Sequence, residues 1–203
     1  RRSSDLFKNK LVRQAINYAI DRPLILKYLL KNKGTLAVSW LSTSQEGFDP
    51  EAKGYEYDVE KAKKLMEKAG YKDGFTVECL GTANKSWGIP VVEAMIPYLQ
   101  KINISVKPQL VEGATLTAKL RQGDFQLYIW CISCGPDPIV NMMRWHSSTP
   151  RQALNYSGYK NQEFDSFLDL ATHEMDAKKR LMLIRKADKA LLDDAAMWFF
   201  AYN

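Results

Sequence analysis

The sequence predicts an α/β fold, and three observations carry that prediction. Strand-like and helix-like segments alternate through the middle of the chain: 75–80, 91–102, 104–110, 115–121 and 125–131. The run 125–131 is apolar almost throughout, as suits a strand covered on both faces. Amphipathic helices with clear start and stop signals lie on either side of that block.

Each element has a local reason. Val12, Ala15, Ile16, Ala19 and Ile20 recur at helical spacing, with Arg13, Gln14 and Asn17 on the other side, so 11–20 reads as an amphipathic helix. Asp21 can cap a second helix whose first position is Pro23, which runs through Leu24, Ile25, Tyr28 and Leu29 and stops near Gly34. Residues 35–57 lose all periodicity and gather Gly, Pro, Ser and Thr, a long irregular connection that carries Trp40 and Phe48. Asp58 is an N-cap for a helix over 59–69, with Ala62, Leu65, Met66 and Ala69 on one face and Gly70 at its end. After the alternating block come a short helix over 139–145, a loop over 147–160, and helices over 162–174 and 177–193. A terminal apolar run, 197–202, must pair with something, inside this domain or beyond it.

Composition bounds the function. With 203 residues, 46% hydrophobic and 26% charged, the chain can bury a sizeable core as one large domain or two small ones. The net charge of +6 is scattered, and its densest run, Lys178-Lys179-Arg180, falls on a predicted helix, which reads as a solvated basic face; no nucleic-acid partner is expected. No run of 18 apolar residues is present, so no membrane-spanning segment is expected. The opening RRSSDLFKNK has no initiator Met and no apolar stretch, as if a targeting segment had been removed or left out. There is no G-x-S-x-G, G-x-G-x-x-G, Walker lysine or H-E-x-x-H, so neither an enzyme nor a cofactor is expected. The adjacent carboxylates Asp193 and Asp194 sit at a helix end and read as solvated.

The stretch WCISCGPDP, residues 130–138, holds two of the three cysteines in a C-x-x-C spacing. Structural zinc needs four ligands, and beyond Cys131 and Cys134 only Cys79, His146 and His173 remain as soft or imidazole donors. A redox centre needs a thiolate at a helix N-terminus, whereas Cys131 continues an apolar strand. The simplest of the three readings makes Cys131 a buried small hydrophobe and Cys134 part of a turn.

Four segments, in order, carry a resemblance: VRQAINYAIDRPLI (12–25), YDVEKAKKLMEKAGYKDGF (57–75), DFQLYIWCISCGPDP (124–138) and NYSGYKNQEFD (155–165). Together they are similar to family 5 of the extracellular solute-binding proteins, which deliver peptides, nickel and some sugars to ABC importers. The resemblance implies a lobe of the type II periplasmic-binding-protein kind, a mixed sheet flanked by helices. It makes residues 1–203 a single α/β lobe, the second of two, with the first absent. It also implies a non-enzymatic receptor, periplasmic or lipid-anchored on the outer face of the cytoplasmic membrane. The implied partners are an ABC permease and a small peptide, or alternatively nickel or another metal chelate.

The same resemblance places Trp40, Trp130, Ser133, Cys134, Asp137 and His146 near the ligand. Peptide-binding members keep an acidic residue three positions after the strand-end tryptophan, where it pairs with the peptide α-ammonium. Here that position is Ser133, which supplies no charge, and a buried ammonium without a counterion is costly. Asp137 belongs to an Asp-Pro pair that reads as structural. A nickel reading would draw on His146, Cys134 and Met142 or Met143, unless the methionines and Trp145 simply pack a helix. A sugar reading would use Trp40, Trp87, Trp130 or Trp145 as stacking platforms. The alternative from another class is a thiol-disulfide or thiol-dependent metal protein built on Cys131 and Cys134.

Overall fold

A computed structural model describes residues 6–84, 87–132 and 134–202. Helix α1 (Lys10–Ala19) starts where the Asn9 side chain accepts the Leu11 N–H, and it buries Val12, Ala15, Ile16 and Ala19, the face chosen by the periodicity. Asn17 corrects that reading, because it is buried rather than on the outer side. Its amide donates to the Arg13 and Met197 carbonyls at 3.1 and 3.0 Å, which fastens α1 to the C-terminal run. Helix α2 (Arg22–Leu29) is capped by Asp21, whose carboxylate accepts the Leu24 N–H; Pro23 lies one position further in than its sequence reading, still where no intrahelical N–H is needed.

Within the irregular connection, β1 (Thr35–Leu36) pairs with residues near the C-terminus, as described below. Helix α3 (Val59–Lys68) begins at Asp58, which accepts the Lys61 N–H. It ends in a Schellman motif, with Gly70 N–H donating to Glu67 O and Tyr71 N–H to Met66 O, both at 2.9 Å. Gly70 and Gly74 both have positive φ, +79° and +72°. A Cβ on Gly70 would meet nothing within 4 Å, whereas one on Gly74 would collide with the Asn103 carbonyl. Gly70→Ala is therefore expected to cost about 1 kcal/mol from φ alone, and Gly74→Ala roughly 3 kcal/mol because backbone must also move. Equilibrium denaturation of the two variants checks the ranking, and equal losses would refute it.

The central sheet is β2 (Phe75–Gly81), β3 (Ile104–Leu110) and β4 (Leu127–Tyr128), parallel throughout in the order β3-β2-β4. Antiparallel pairing occurs in a separate two-stranded sheet, β1 with β5 (Ala201–Tyr202), so the terminal run pairs within the chain. Two helices cover the central sheet on opposite faces. Helix α4 (Ile89–Gln100) packs Val91, Val92 and Leu99 into the cluster that holds Val77 and Cys79 of β2. Helix α5 (Gly113–Gln122) packs Leu116 and Leu120 against Leu80, the next residue along β2 and hence on its other face.

The sequence assigns a strand to 125–131, but only Leu127 and Tyr128 pair with β2. Before them, the Gln126 side chain accepts the Glu78 N–H at 2.6 Å and takes the place of a ladder bond. After them, Trp130 and Cys131 are exposed, which also corrects the reading of Cys131 as a buried hydrophobe.

The last three helices, α6 (Pro138–Met142), α7 (Gln162–His173) and α8 (Ala177–Asp193), form a second cluster around Phe164, Leu168, Ile184 and Leu191, closed by residues of the irregular connection. Asp194, read as solvated, is half-buried and pairs with Arg13 at 3.0 Å and Lys10 at 3.7 Å. No described helix is long and apolar enough to cross a membrane.

Candidate functional site

In an open parallel sheet, ligands gather outside the carboxyl ends of the strands, beside the point where connections leave in opposite directions. Here that point is β2, whose crossover runs to β3 on one side while β3 returns past it to β4 on the other. The segments at this edge are Gly88 at the head of α4, the start of α5, and residues 129–132 and 134–137. Two surface hollows of about 360 and 490 Å³ lie elsewhere, one around Gln14, Tyr18 and Tyr55 and the other around Lys63, Lys72 and Lys101. Neither includes a residue of the 130–137 segment.

On either side of residue 133 that segment is exposed, and its second part is fastened to α6. Trp130 is 38% exposed, and Cys134 and Asp137 are also exposed. Asp137 caps α6, its Oδ1 accepting the Ile139 and Val140 N–H groups at 2.8 and 3.3 Å. Pro138 follows in the first turn of that helix, so the Asp-Pro pair is a helix start. Asn141, 4% exposed, grips the turn from below: its Oδ1 accepts the Gly135 N–H at 3.1 Å and its Nδ2 donates to the Gly135 carbonyl at 2.6 Å. Gln45 adds a bond to the same carbonyl at 3.2 Å, which joins the irregular connection to the turn. Helix α6 also exposes Val140 and, at its end, Met143, an apolar rim beside the turn.

Asn141 was not legible as a site residue. The available signal was a polar side chain four positions after Asp137, on the same helix face as buried Pro138. Asn141→Ala is expected to cost about 1–2 kcal/mol and to speed amide exchange at Gly135 by about tenfold. Exchange at Gly135 unchanged from wild type would remove Asn141 as the clamp.

The remaining candidates separate from the turn. Ser133 lies outside the described residues. Trp40 is 9% exposed and packs edge-on against Trp145, with centroids 5.4 Å apart, so both are core and neither presents a ring face to solvent. Trp87 is half-buried against the first cluster. His146 is buried: Nδ1 faces the Ser148 hydroxyl at 2.7 Å, and Nε2 stands 3.3 Å from Asp169 and 3.8 Å from Asp165. Those contacts fasten the loop after α6 to α7.

The metal and thiol readings find no support in this arrangement. Met142 is fully buried and His146 nearly so, so neither presents a donor beside Cys134. No group of three or more His, Cys, Asp or Glu among the described residues could hold a metal ion. Cys131 and Cys134 are free thiols, and partial burial raises the pKa of both, against the depressed value of a reactive thiolate. Cys79 is buried in the sheet, which pushes its thiol to about 12.

Arg144 is a feature that sequence reasoning missed. Its guanidinium lies 5.4 Å from the centre of the Trp40 ring, and its Nε donates to the Asn141 carbonyl at 3.1 Å. Burial lowers its pKa, partly offset by Cys134, Tyr156 and Tyr128.

With this geometry in place, comparison with known proteins is informative. The family model for bacterial extracellular solute-binding proteins, family 5 Middle, matches residues 2–153. Heme-binding protein A of Haemophilus influenzae is 28% identical over 206 residues, covering 95% of this chain and 36% of its own length. The periplasmic binding protein DppA of Helicobacter pylori, solved with the peptide STSA, superposes at a TM-score of 0.90 with 27% identity, over 97% of this chain and 39% of that one. The oligopeptide-binding protein AppA of Bacillus subtilis, solved with a nonapeptide, gives a TM-score of 0.84 at 27% identity, over 98% of this chain and 42% of that one. The chain thus spans about two-fifths of the length of these three proteins, with the helix pair joined by Asp21-Arg22 and the exposed residues after β4 inside the matched region. On that match, this chain belongs to the bacterial extracellular solute-binding proteins of family 5.

Proposed function

We propose that residues 1–203 are one α/β lobe of a two-lobe receptor that captures peptides outside the cytoplasmic membrane and hands them to an ABC permease. The observation that carries this reading is the exposure of Trp130, Cys131 and residues 134–137, with Gly135 held by Asn141, past the carboxyl end of β4 in a parallel sheet. Two solved relatives of this fold hold peptides, the DppA and AppA proteins. The chain acts by binding rather than by catalysis. Ligand would be trapped by hinge closure between this lobe and another, with contacts to both shifting the population toward the closed form. Trp130, Cys134 and Asp137 face the ligand, while Trp40 and His146 are core residues away from it.

The test is thermal shift on the full-length receptor, with pools of short peptides against nickel and its small chelates, because selective binding raises apparent stability by mass action. Stabilisation by peptides is the expected result. Stabilisation by nickel chelates alone would replace the peptide reading with the metal one. The 203-residue chain by itself offers one side of the cleft, so calorimetry is expected to find no peptide bound at micromolar affinity or better. Tight binding to the isolated chain would overturn the two-lobe account.

A further inference from the structure

The hairpin of α7 and α8 presents an apolar seam to solvent. Leu170 on α7 is 55% exposed, Met182 on α8 is 52% exposed, and Met175 in the turn between the helices is 95% exposed. Single exposed apolar side chains are ordinary, but these belong to two ordered stripes. On α7, Glu163, Phe167, Leu170 and the C-cap Glu174 recur at i, i+4, i+7 and i+11, which places them along one side of the helix. On α8, Lys179, Met182 and Lys186 recur at i, i+3 and i+7. The Lys186 Nζ stands 5.5 Å from the centre of the half-buried Phe167 ring, so the two stripes adjoin across the hairpin.

The stripes carry opposite charge. Among the described residues, Glu163, Glu174, Lys179 and Lys186 enter no ion pair, although Glu174 gives one carboxylate oxygen to the Asp176 N–H at 2.8 Å. The other carboxylates of α7, Asp165 and Asp169, lie beside His146, and Lys189 further along α8 is paired with Asp193. What remains is a negative stripe next to a positive one, with Leu170 and Met182 between the charges. A partner of a single sign fits this badly: an anionic lipid surface attracts Lys179 and Lys186 but repels Glu163 and Glu174. A second copy of the same face fits both stripes. Turned about a two-fold axis that runs along the hairpin between its helices, it lays its α8 over this α7 and its α7 over this α8. Carboxylates then meet ammonium groups on both sides of the axis, and four helices close over the apolar seam.

We infer that the exposed face of α7 and α8 is an isologous interface on which the receptor pairs with a second copy of itself. Leu170 and Met182 form its centre, and Glu163 and Glu174 of one copy face Lys179 and Lys186 of the other. This goes beyond peptide capture and does not depend on it. Helices of 12 and 17 residues are about 18 and 25 Å long and pack about 8–10 Å apart, so the face offers roughly 400–500 Å² per copy. That is near half of the area that stable complexes use on each partner, and the dimer is accordingly a weak one.

The experiment is sedimentation velocity on the full-length receptor from about 1 to 100 μM, in about 50 mM and 500 mM salt. A monomer–dimer equilibrium with a midpoint in the micromolar range is expected at low salt, weakened about fivefold or more at high salt. Leu170→Gln with Met182→Gln is expected to weaken it about tenfold or more; both side chains are half-exposed, so folding is retained. Two charge-reversed receptors, one with Glu163→Lys and Glu174→Lys and the other with Lys179→Glu and Lys186→Glu, are each expected to be monomeric alone. Their mixture is expected to dimerise within about threefold of wild type.

A full-length receptor that stays monomeric to about 100 μM at low salt would overturn the proposal, whether the face is idle or covered by the rest of the polypeptide. A dimer indifferent to the glutamine variant would place the interface elsewhere and overturn it as well. Weakening by glutamine without rescue in the mixture would refute the pairing of α7 with α8. Flotation with vesicles of phosphatidylglycerol and phosphatidylcholine tests the lipid alternative: monomeric receptor bound to them, and released by Lys179→Glu with Lys186→Glu, would replace the second copy with a membrane. Dimerisation in a receptor that binds no peptide leaves this inference standing while the peptide reading fails, and a peptide-binding monomer does the reverse.

Discussion

Replacing Arg22 with methionine is expected to lower the stability of this chain by about 3–5 kcal/mol, one of the two largest effects of a single side chain here. Arg22 is 7% exposed. Its Nη1 donates to the carbonyls of Ala37 and Phe199, each at 2.6 Å, and its Nη2 donates to Tyr55 at 2.5 Å. One planar cation therefore joins α2, both ends of the irregular connection and the C-terminal run. Methionine fills similar volume but leaves three carbonyls short of a partner where the chain must still turn. Burial lowers the pKa of Arg22, yet a guanidinium stays charged through the range in which proteins are handled. Arg22→Lys keeps the charge, but a single ammonium cannot reproduce a fork that reaches three acceptors, so most of the loss should remain. Denaturant midpoints at constant slope measure both variants, and a loss below about 1 kcal/mol for Arg22→Met would show the contacts to be replaceable by water.

Asp188 gives the second large effect and the main pH dependence. It is 3% exposed on α8, where Oδ2 accepts the Ser39 hydroxyl at 2.5 Å and Oδ1 accepts the Trp40 and Leu41 N–H groups at 3.0 and 3.3 Å. Burial raises its pKa to about 6, although those three hydrogen bonds pull the other way. The folded state therefore holds the proton more tightly than the unfolded chain does. Its contribution is fully present below the unfolded value near 4 and is lost as pH rises through about 6. Asp188→Asn keeps the shape and removes the titration. The stability of wild type relative to this variant should fall by about 3 kcal/mol between pH 4 and pH 7. A pH-independent difference would mean that the hydrogen bonds hold Asp188 at an ordinary carboxylate value. Asp188→Ala strands the Trp40 and Leu41 amides and also removes the titration, so its cost should be larger at pH 4 than at pH 7 by about the same difference.

Both side chains explain sequence features that local reading had left half-interpreted. Asp21-Arg22 reads as a helix corner, and Asp21 does cap α2. The residue beside it is the one that organises the long connection. Trp40 attracted attention as an aromatic in an irregular segment, the usual place for a binding residue. It is instead held against the core by Asp188 and Trp145, with the Arg144 guanidinium over its ring.

His146 shows the same limit from the other direction. An imidazole near two methionines and a cysteine in sequence suggested soft-metal ligation. In space it is enclosed by Ser148, Asp165 and Asp169, the last two brought by a helix that begins well downstream. Asn141, which holds Gly135 of the turn, carries no recognisable spacing of its own.

The sequence alone determined what depends on neighbours a few positions away. Asp21, Asp58 and Asp137 stand before helices because a carboxylate satisfies the first free N–H groups of the very turn it precedes. Gly70 ends α3 because only the left-handed conformation closes its Schellman bonds. Ile104–Leu110 and Ala177–Asp193 fall where hydrophobic period and caps agree. The tertiary structure decided everything whose partners are distant in the chain. Arg22 finds acceptors 15, 33 and 177 positions away, and Asp188 finds donors nearly 150 positions away. The strand after Asp124 stops at Tyr128 because β2 pairs with two of its residues and no more. Periodicity and caps report on a residue's own turn of backbone, whereas burial and charge pairing depend on which segments the finished fold lays against one another.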